Sequence, residues 1–385
     1  MATARDRALE LVAAYDEELR RELPEGADIF DAHLHLGHDI DGMTGDYEQL
    51  EALMGSYGVS RAFMFCLDEP DRHPSFRAAN DRTLAFAARS GGRLLPFVRL
   101  DLNESPIEEA TRCLDLGARG IKLHPRAQKF TATDERLEPV FALAAERRVP
   151  ILIHGGRGLP PIADGLTRLV ERHPEAALII AHCGIADLAE LARAMAGRAG
   201  VFFDTSVWSP IDLLDFFRQI PPEQVLYASD YPYGQQPASL LIALKTARLA
   251  GYDDLQVRAL LAGTANALAD GSPLPAPTRP VGIERLSQPL QLARIHQYLS
   301  MATPLLWSRQ PDTMGVLGLA IAACAERSGN GYDETVDGIR ELLNGAQALW
   351  QELPEIADDQ ARLNATRLTF RLIHLADIEA VTAAA

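Results

Sequence analysis

Short apolar runs that alternate with helical patterns limit the folds open to this chain. Eight such runs occur, at about residues 29–35, 60–67, 94–101, 118–124, 149–154, 177–182, 200–207 and 224–230. Continuous apolar runs are typical of parallel strands, because helices cover both of their faces. The alternation predicts an α/β protein with a (β/α)8 TIM barrel. An open doubly wound sheet is the alternative, but DAHLHLG, where the first run ends, is not a glycine-rich phosphate loop.

The regions on either side of the barrel pattern read as helix. We expect an N-terminal helical extension over residues 1–27, the barrel over 28–270 and a linker over 271–281, which is rich in proline and glycine. Residues 282–385 predict an additional all-helical C-terminal region. Its helices can form a small bundle, cover the barrel or mediate a homodimer, and the pattern does not choose among these.

Charge and composition limit the kinds of partner that the protein can bind. The formal net charge of −16 argues against nucleic acid, because phosphate binding needs a basic face. The apolar stretch at 314–325 is too short to cross a bilayer, so we expect no membrane partner. The N-terminus mixes both charge signs, unlike a signal peptide, and the four cysteines lie far apart. We therefore expect a cytoplasmic protein with reduced thiols.

Five of the apolar runs end in side chains that bind metals or anions. Because the carboxyl ends of barrel strands meet at one face, these side chains should lie close together. His33 and His35 are two residues apart, so both point to one side of their strand. Asp31 has the same parity, and we expect it to orient a ligand histidine. The remaining run ends are Lys122 with His124, then His154, His182 and Asp230. This set predicts a metal site.

The motifs that contain these residues resemble a known family. DAHLHLG, GIKLHP, LIHGG, IIAHCG and ASDYPYG occur in this order and are similar to motifs of the amidohydrolase superfamily, in particular the branch that contains aminocarboxymuconate semialdehyde decarboxylase. The resemblance covers about residues 28–270. It implies one divalent ion at the barrel mouth, held by His33, His35, His154 and Asp230. Such a ligand set suits Zn²⁺, with Mn²⁺ or Fe²⁺ as alternatives.

The resemblance also implies a reaction on a small-molecule substrate. Metal-bound hydroxide would attack an amide, ester or lactone of a small anionic compound, with Asp230 as general base. His182 would hydrogen-bond the hydroxide or the developing oxyanion. Non-oxidative decarboxylation of a small carboxylic acid is the alternative, in which protonation at carbon replaces attack by water. A non-catalytic scaffold is the alternative from another class, and the complete ligand set argues against it.

Lys122 allows three interpretations. In binuclear members of the family a carboxylated lysine on this strand bridges two ions, and His182 then binds the second. We favour one ion, with the Lys122 ammonium holding a substrate anion. A buried ion pair with Asp101 or Asp204 is the structural alternative.

Substrate contacts should come from side chains near the strand ends, because the loops there surround the mouth of a barrel. Arginines would suit a carboxylate or phosphate, although a solvated loop arginine is equally consistent with the sequence. Aromatic residues would wall the pocket. The candidates are Lys122, His124, Arg126, Arg157, Trp208 and Tyr231.

Overall fold

A nine-stranded sheet forms the centre of the molecule, and eight of its strands run parallel. The structure, a computed structural model, describes residues 3–282, 288–307, 313–326, 329 and 331–383. The other residues of the predicted C-terminal region lie outside the described residues. The strands are β1 (Ile29–His38), β2 (Thr44–Gly45), β3 (Val59–Cys66), β4 (Leu94–Arg99), β5 (Gly120–Leu123), β6 (Ile151–Ile153), β7 (Leu178–Ile180), β8 (Val201–Asp204) and β9 (Val225–Leu226).

Backbone hydrogen bonds close the sheet into a barrel. The strand order is β2-β1-β3-β4-β5-β6-β7-β8-β9, with only the short β2 antiparallel. The chain just after β9 returns to β1: the amide of Ala32 donates to the carbonyl of Tyr227, and that of Asp230 donates to the carbonyl of His33, both at 2.9 Å. The predicted TIM barrel is therefore confirmed, and its closure places His33 beside Asp230.

Side-chain alternation fills the barrel with apolar groups and puts polar groups at its mouth. Inward-facing Phe97, Leu152, Phe202 and Ala228 belong to one buried cluster. Gly120 faces the Phe97 ring, and a Cβ there would lie 2.5 Å from it, so only glycine fits. Two residues beyond each of the four apolar positions, on the same face, come the polar residues Arg99, His154, Asp204 and Asp230.

Helices cover the outside of the barrel and form the rest of the chain. Local signals set their ends: Asp46 caps α2 by accepting from the amide of Gln49, and Gly58 ends it at φ 71°. The helices are α1 (Ala4–Glu22), α2 (Tyr47–Tyr57), α3 (Arg77–Arg89), α4 (Pro106–Asp115), α5 (Pro125–Gln128), α6 (Leu137–Arg147), α7 (Ala163–Arg172), α8 (Leu188–Met195), α9 (Pro210–Phe217), α10 (Gln236–Ala250), α11 (Asp254–Arg258), α12 (Thr264–Asp270), α13 (Leu290–Trp307), α14 (Thr313–Ala325), α15 (Asp333–Glu352) and α16 (Asp359–Thr382).

The C-terminal helices pack on the barrel and on α1. Helix α16 contacts α15, α13, α1, α9 and α10. Lys245 of α10 joins three helices, since its ammonium lies 2.7 Å from Glu18 of α1 and 2.5 Å from Glu379 of α16. The additional helical C-terminal region is thus confirmed. Among the described residues, no helix is long and apolar enough to span a membrane.

Candidate metal centre

Three buried side-chain atoms converge at the mouth of the barrel. The Nε2 atoms of His33 and His35 lie 3.2 Å apart. Asp230 Oδ1 lies 3.2 Å from the first and 3.3 Å from the second. The side chain of His33 is 1% exposed, that of His35 7% and that of Asp230 13%, so water reaches the group mainly from the side of Asp230.

Hydrogen bonds behind the two rings fix their protonation. His33 Nδ1 lies 2.8 Å from Asp204 Oδ2, and His35 Nδ1 lies 3.3 Å from the carbonyl oxygen of Cys66. A carbonyl and a carboxylate accept hydrogen bonds, so each Nδ1 carries the proton and each Nε2 presents a lone pair. Burial, the main cause in both rings, lowers the pKa of His33 well below its ordinary value and also lowers the pKa of His35, which keeps both rings neutral at pH 7.

The arrangement fits a divalent cation. Two lone pairs and a carboxylate oxygen repel one another at these distances unless a positive charge lies between them. Ligands held at about 2.0–2.1 Å in a tetrahedral zinc site lie about 3.3 Å from each other, close to the observed spacing. His33, His35 and Asp230 form one of two candidate clusters in the described part of the chain. The other, at His73, Asp101 and Glu104, is the more exposed.

The ammonium of Lys122 lies beside the three acceptors. Its Nζ is 3.3 Å from His33 Nε2 and 4.4 Å from the centre of the Phe65 ring. Burial lowers the pKa of Lys122 to about 7, against the opposing charges of Asp230 and Asp204. The lysine side chain is fully buried, and it faces the same lone pair that a cation would use.

A second group of histidines adjoins the first. His182 Nε2 lies 2.9 Å from His154 Nδ1, and the His154 ring stacks on His124 with centroids 3.9 Å apart. The His33 and His182 ring centroids are 5.1 Å apart, which links the two groups. Gly156 allows the loop after β6 to lie close to the His154 ring, because a Cβ atom at this position would be 2.9 Å from that ring. His154, which the family resemblance implies as a fourth ligand, hydrogen-bonds His182 through Nδ1 and is not one of the three grouped acceptors.

Asp204 connects the two histidine groups. Its Oδ2 atom accepts from His33, and its Oδ1 atom accepts from the backbone amide of His182 at 2.8 Å. The ring of His182 is oriented by the carbonyl of Ser206, 2.8 Å from its Nδ1. This role of Asp204 was not predicted from the sequence, although VFFD is an apolar run ending in a carboxylate, like the run that ends in Asp230.

The position of Asp31 differs from our expectation. Its carboxylate accepts from the amide and hydroxyl of Ser229 and from Gln236, and it contacts His33 only through the backbone amide. The rule that residues two apart share one side of a strand does not extend from His33 to Asp31, because the β1–β3 register shifts between Asp31 and Leu34. Burial raises the pKa of Asp31 to about 6. Asp31 therefore ties β1 to the loop after β9 and does not orient a ligand ring.

Two of the central residues adopt a left-handed backbone conformation. The φ angle is 58° for Asp230 and 56° for His182, values that residues other than glycine seldom adopt. Such conformations cost about 1–3 kcal/mol and persist where the surrounding structure imposes them. Here they aim a carboxylate and an imidazole from strand ends into the mouth.

The predicted substrate-binding residues fall into different places. Lys122 and His124 lie in the centre, as described above. The Arg157 guanidinium is 71% exposed and pairs with Asp212 at 2.7 Å, while Arg126 is exposed on α5. The Tyr231 ring is buried, and its hydroxyl donates to the carbonyl of Asp46 at 3.2 Å.

Aromatic residues on either side of the mouth are better placed than Tyr231. The Tyr233 ring meets the His35 ring edge-on, with centroids 5.9 Å apart. Trp208 and Tyr233 line a cavity of about 850 Å³ next to the mouth. Trp208, one of the predicted substrate-binding residues, and Tyr233 thus line the same cavity.

Arg99 was not anticipated from the sequence. It is the register partner of Lys122 on the neighbouring strand and is 2% exposed. Its Nη1 donates to the carbonyl of Cys66 at 3.3 Å, the same oxygen that accepts from His35. Its Nε has no hydrogen-bond partner within the described residues. Arg99 therefore adds a second buried cation beside the centre.

Comparison with known protein families gives a match over the barrel. A model of the Amidohydro_2 family, described as amidohydrolase, matches residues 30–268. No curated protein matches the chain.

Solved structures share the barrel at low sequence identity. A proposed amidohydrolase from Staphylococcus aureus is 16% identical at a TM-score of 0.50, covering 63% of this chain and 99% of its own. A 2,6-dihydroxybenzoate decarboxylase is 16% identical at a TM-score of 0.50, covering 64% and 100%. A proposed 2-pyrone-4,6-dicarboxylic acid hydrolase from Pseudomonas putida is 20% identical at a TM-score of 0.50, covering 63% and 98%.

These structures show the fold, and the family model spans more than half of the chain. Since the matched residues include His33, His35, His154, His182 and Asp230, the match and the geometry concern the same part of the molecule. The protein is a barrel enzyme, and its chain belongs to the amidohydrolase family.

Proposed function

We propose that the protein is a metal-dependent hydrolase that cleaves an amide, ester or lactone of a small anionic compound. The observation that carries this proposal is the convergence of His33 Nε2, His35 Nε2 and Asp230 Oδ1, three acceptors spaced 3.2–3.3 Å apart. His33, His35 and Asp230 would hold a divalent ion, with His154, the further ligand that the family resemblance implies, offering the Nε2 atom that takes no part in its hydrogen bond to His182. Zinc fits the nitrogen-rich donor set best.

A bound divalent ion supplies a Lewis acid and water that is acidic near neutral pH. The protein's own groups then move protons. Asp230, the most exposed of the three, takes the proton of the attacking water and delivers it to the leaving group. His182 donates its Nδ1 proton to the carbonyl of Ser206, so its Nε2 carries the lone pair that accepts from His154 Nδ1, and Nε2 exchanges protons with a bound group once that hydrogen bond opens.

The positive charges beside the centre favour an anionic substrate. Lys122 and Arg99 are buried on neighbouring strands, and the only carboxylate near Arg99 within the described residues is Asp68, at 3.7 Å. A buried cation with an incomplete set of partners stabilises a negative group close to it. A carboxylate on the substrate, or negative charge that develops during the reaction, would meet this need.

Decarboxylation is the second candidate reaction. One of the proteins that share this fold is a 2,6-dihydroxybenzoate decarboxylase. The same residues would serve, with His182 or Asp230 delivering a proton to carbon instead of accepting one from water. The low exposure of the centre supports this candidate, because protonation at carbon needs no substrate water.

Isotope incorporation separates the two reactions. A panel of lactones, esters, amides and aromatic carboxylic acids is incubated with the protein in ¹⁸O-labelled water. Hydrolysis places one ¹⁸O atom in the acid product, whereas carbon dioxide release without ¹⁸O in the remaining product supports decarboxylation and contradicts the hydrolase proposal. Asp230→Asn should abolish turnover, and Asp115→Asn, an exposed carboxylate on α4, should leave it unchanged.

A further inference from the structure

A cavity of about 850 Å³ lies between the barrel mouth and the C-terminal helices. We call it the C-terminal cleft. Its barrel wall comes from the loops after β1, β8 and β9, and its outer wall comes from α13, α15 and α16. The volume falls within the range of about 300–1,000 Å³ that small-molecule sites occupy. The outer wall lies beyond residue 268, where the family match ends.

Four of the side chains that line the C-terminal cleft are aromatic and come from both of its walls. Trp208 and Tyr233 contribute from the barrel loops, and Trp350 and Phe370 contribute from α15 and α16. Tyr233 is shared with the metal centre, because its ring packs edge-on against His35. A flat apolar ligand in the cleft would therefore lie directly beside the candidate metal ligands.

Three arginines of α16 also line the cleft, and two of them are already neutralised. Arg362 pairs with Asp359, and Arg371 pairs with Asp16. Arg367 differs from both, since its guanidinium bonds two neutral acceptors in the described part of the chain: Gln49 Oε1 at 3.0 Å and the carbonyl of Thr44 at 3.4 Å.

The position of Arg367 makes its charge available to a ligand. Among the residues that the structure describes, no carboxylate forms an ion pair with it. A half-buried guanidinium without a counter-charge is a strong site for a carboxylate, which it binds through paired hydrogen bonds.

We propose that the C-terminal helices complete the substrate site, and that Arg367 binds the carboxylate of a flat, largely apolar acid held between the aromatic walls. This inference rests on the proposed function only in that the cleft serves the same reaction. The ligand class is a small aromatic or similarly planar carboxylic acid. The C-terminal helices thus form the wall of the substrate site that determines which acids bind.

Binding of benzoate and of its neutral analogue benzamide tests the proposal. The full-length protein is first freed of metal with a chelator, so that the metal centre does not contribute to binding. Affinity is measured by calorimetry and by tryptophan fluorescence, since two of the three tryptophans line the cleft. We expect benzoate to bind about tenfold or more tightly than benzamide, and Arg367→Gln to remove this preference.

Three variants separate ligand binding from the docking of α16. Gln49→Leu removes the same contact between α16 and the barrel but leaves the Arg367 charge, so benzoate should still bind. Trp350→Leu should weaken both probes about equally. Arg340→Gln, on α15 outside the cleft, should change neither.

Several results would overturn the inference. These are equal affinity for benzoate and benzamide, unchanged benzoate binding in Arg367→Gln, or a loss in Gln49→Leu as large as in Arg367→Gln. Failure of benzoate binding in a protein that still hydrolyses a substrate contradicts the cleft alone. Specific benzoate binding in a protein that shows no metal-dependent turnover contradicts the proposed function alone.

Discussion

The barrel mouth and the C-terminal helices hold their polar side chains by different kinds of contact. In the mouth, neighbouring strands place the groups: His33 and Asp230 are joined by a backbone hydrogen bond of 2.9 Å. In the C-terminal region, side chains reach across the molecule, as when the His374 ring donates to the carbonyl of Trp208 at 2.8 Å. The first arrangement follows from topology and the second from packing.

This difference separates chemistry from recognition. Groups at strand ends share one rigid frame, so their relative positions are set by the same ladder that makes the barrel. Groups on packed helices depend on many contacts and can change without disturbing that frame. We therefore expect variants in the mouth to affect the reaction strongly, and variants in the helical region to affect affinity or stability by smaller amounts.

Replacing the carboxylate of the mouth should have the largest effect. Asp230→Asn removes both a proposed ligand and the proposed general base, so kcat/KM should fall on the order of 10³-fold or more. Bound metal should fall as well, which elemental analysis of the purified variant measures. Retention of full activity would contradict the role of Asp230, and Asp115→Asn serves as the control for a lost surface charge.

The second histidine group should matter for rate rather than for metal binding. His182→Asn should lower kcat by about 10²-fold, because it removes the group that exchanges protons at the centre. Its metal content should equal that of the unaltered protein, since His182 bonds His154 and Ser206. A parallel loss of metal in this variant would place His182 among the ligands instead.

Lys122 should oppose metal binding. Its ammonium faces the lone pair of His33 at 3.3 Å, so Lys122→Met should tighten divalent metal binding by about tenfold. Titration of the metal-free protein with Zn²⁺ measures this. If Lys122 is instead carboxylated and bridges two ions, the variant would lose one equivalent of metal, and the direction of the change decides between the two readings.

The smallest effect should come from an ion pair in the helical region. Burial alone would lower the pKa of His296, but its 2.6 Å hydrogen bond to Asp377 raises the pKa above the ordinary value. The pair therefore stabilises the fold fully below about pH 6.5, and this contribution is lost as pH rises through the higher pKa of the folded state.

Thermal unfolding at two pH values checks this expectation. Between pH 6 and pH 9, the melting temperature should fall by about 1–2 °C more in the unaltered protein than in His296→Gln. Equal pH dependence in the two proteins would show that the pair does not contribute. Turnover at pH 7 should be the same in both, because His296 belongs neither to the metal centre nor to the lining of the C-terminal cleft.

The barrel mouth and the C-terminal helices also differ in how much of each could be predicted from the sequence. The eight parallel strands start and end within a few residues of the predicted runs, because their apolar pattern is local. The grouping of His33, His35 and Asp230 followed from the rule that strand ends meet at one face. Asp31 departed from expectation because a register shift is not visible in a pattern of alternating residues.

Contacts between distant segments could not be predicted. Arg367 and Gln49 are 318 residues apart, and no local pattern records that their helices meet. Arg157 has the charge and the loop position expected of a residue that binds an anionic substrate, yet it pairs with Asp212 of α9. Side-chain packing decides such contacts, and it depends on surfaces assembled from the whole chain.

The metal content of the purified protein decides whether His33, His35 and Asp230 form a metal site. We expect about one divalent ion per chain by elemental analysis, and its loss in His33→Asn, His35→Asn and Asp230→Asn variants that still unfold cooperatively. A protein without bound metal that takes up none from added Zn²⁺, Mn²⁺ or Fe²⁺, or variants that keep the ion, would contradict it.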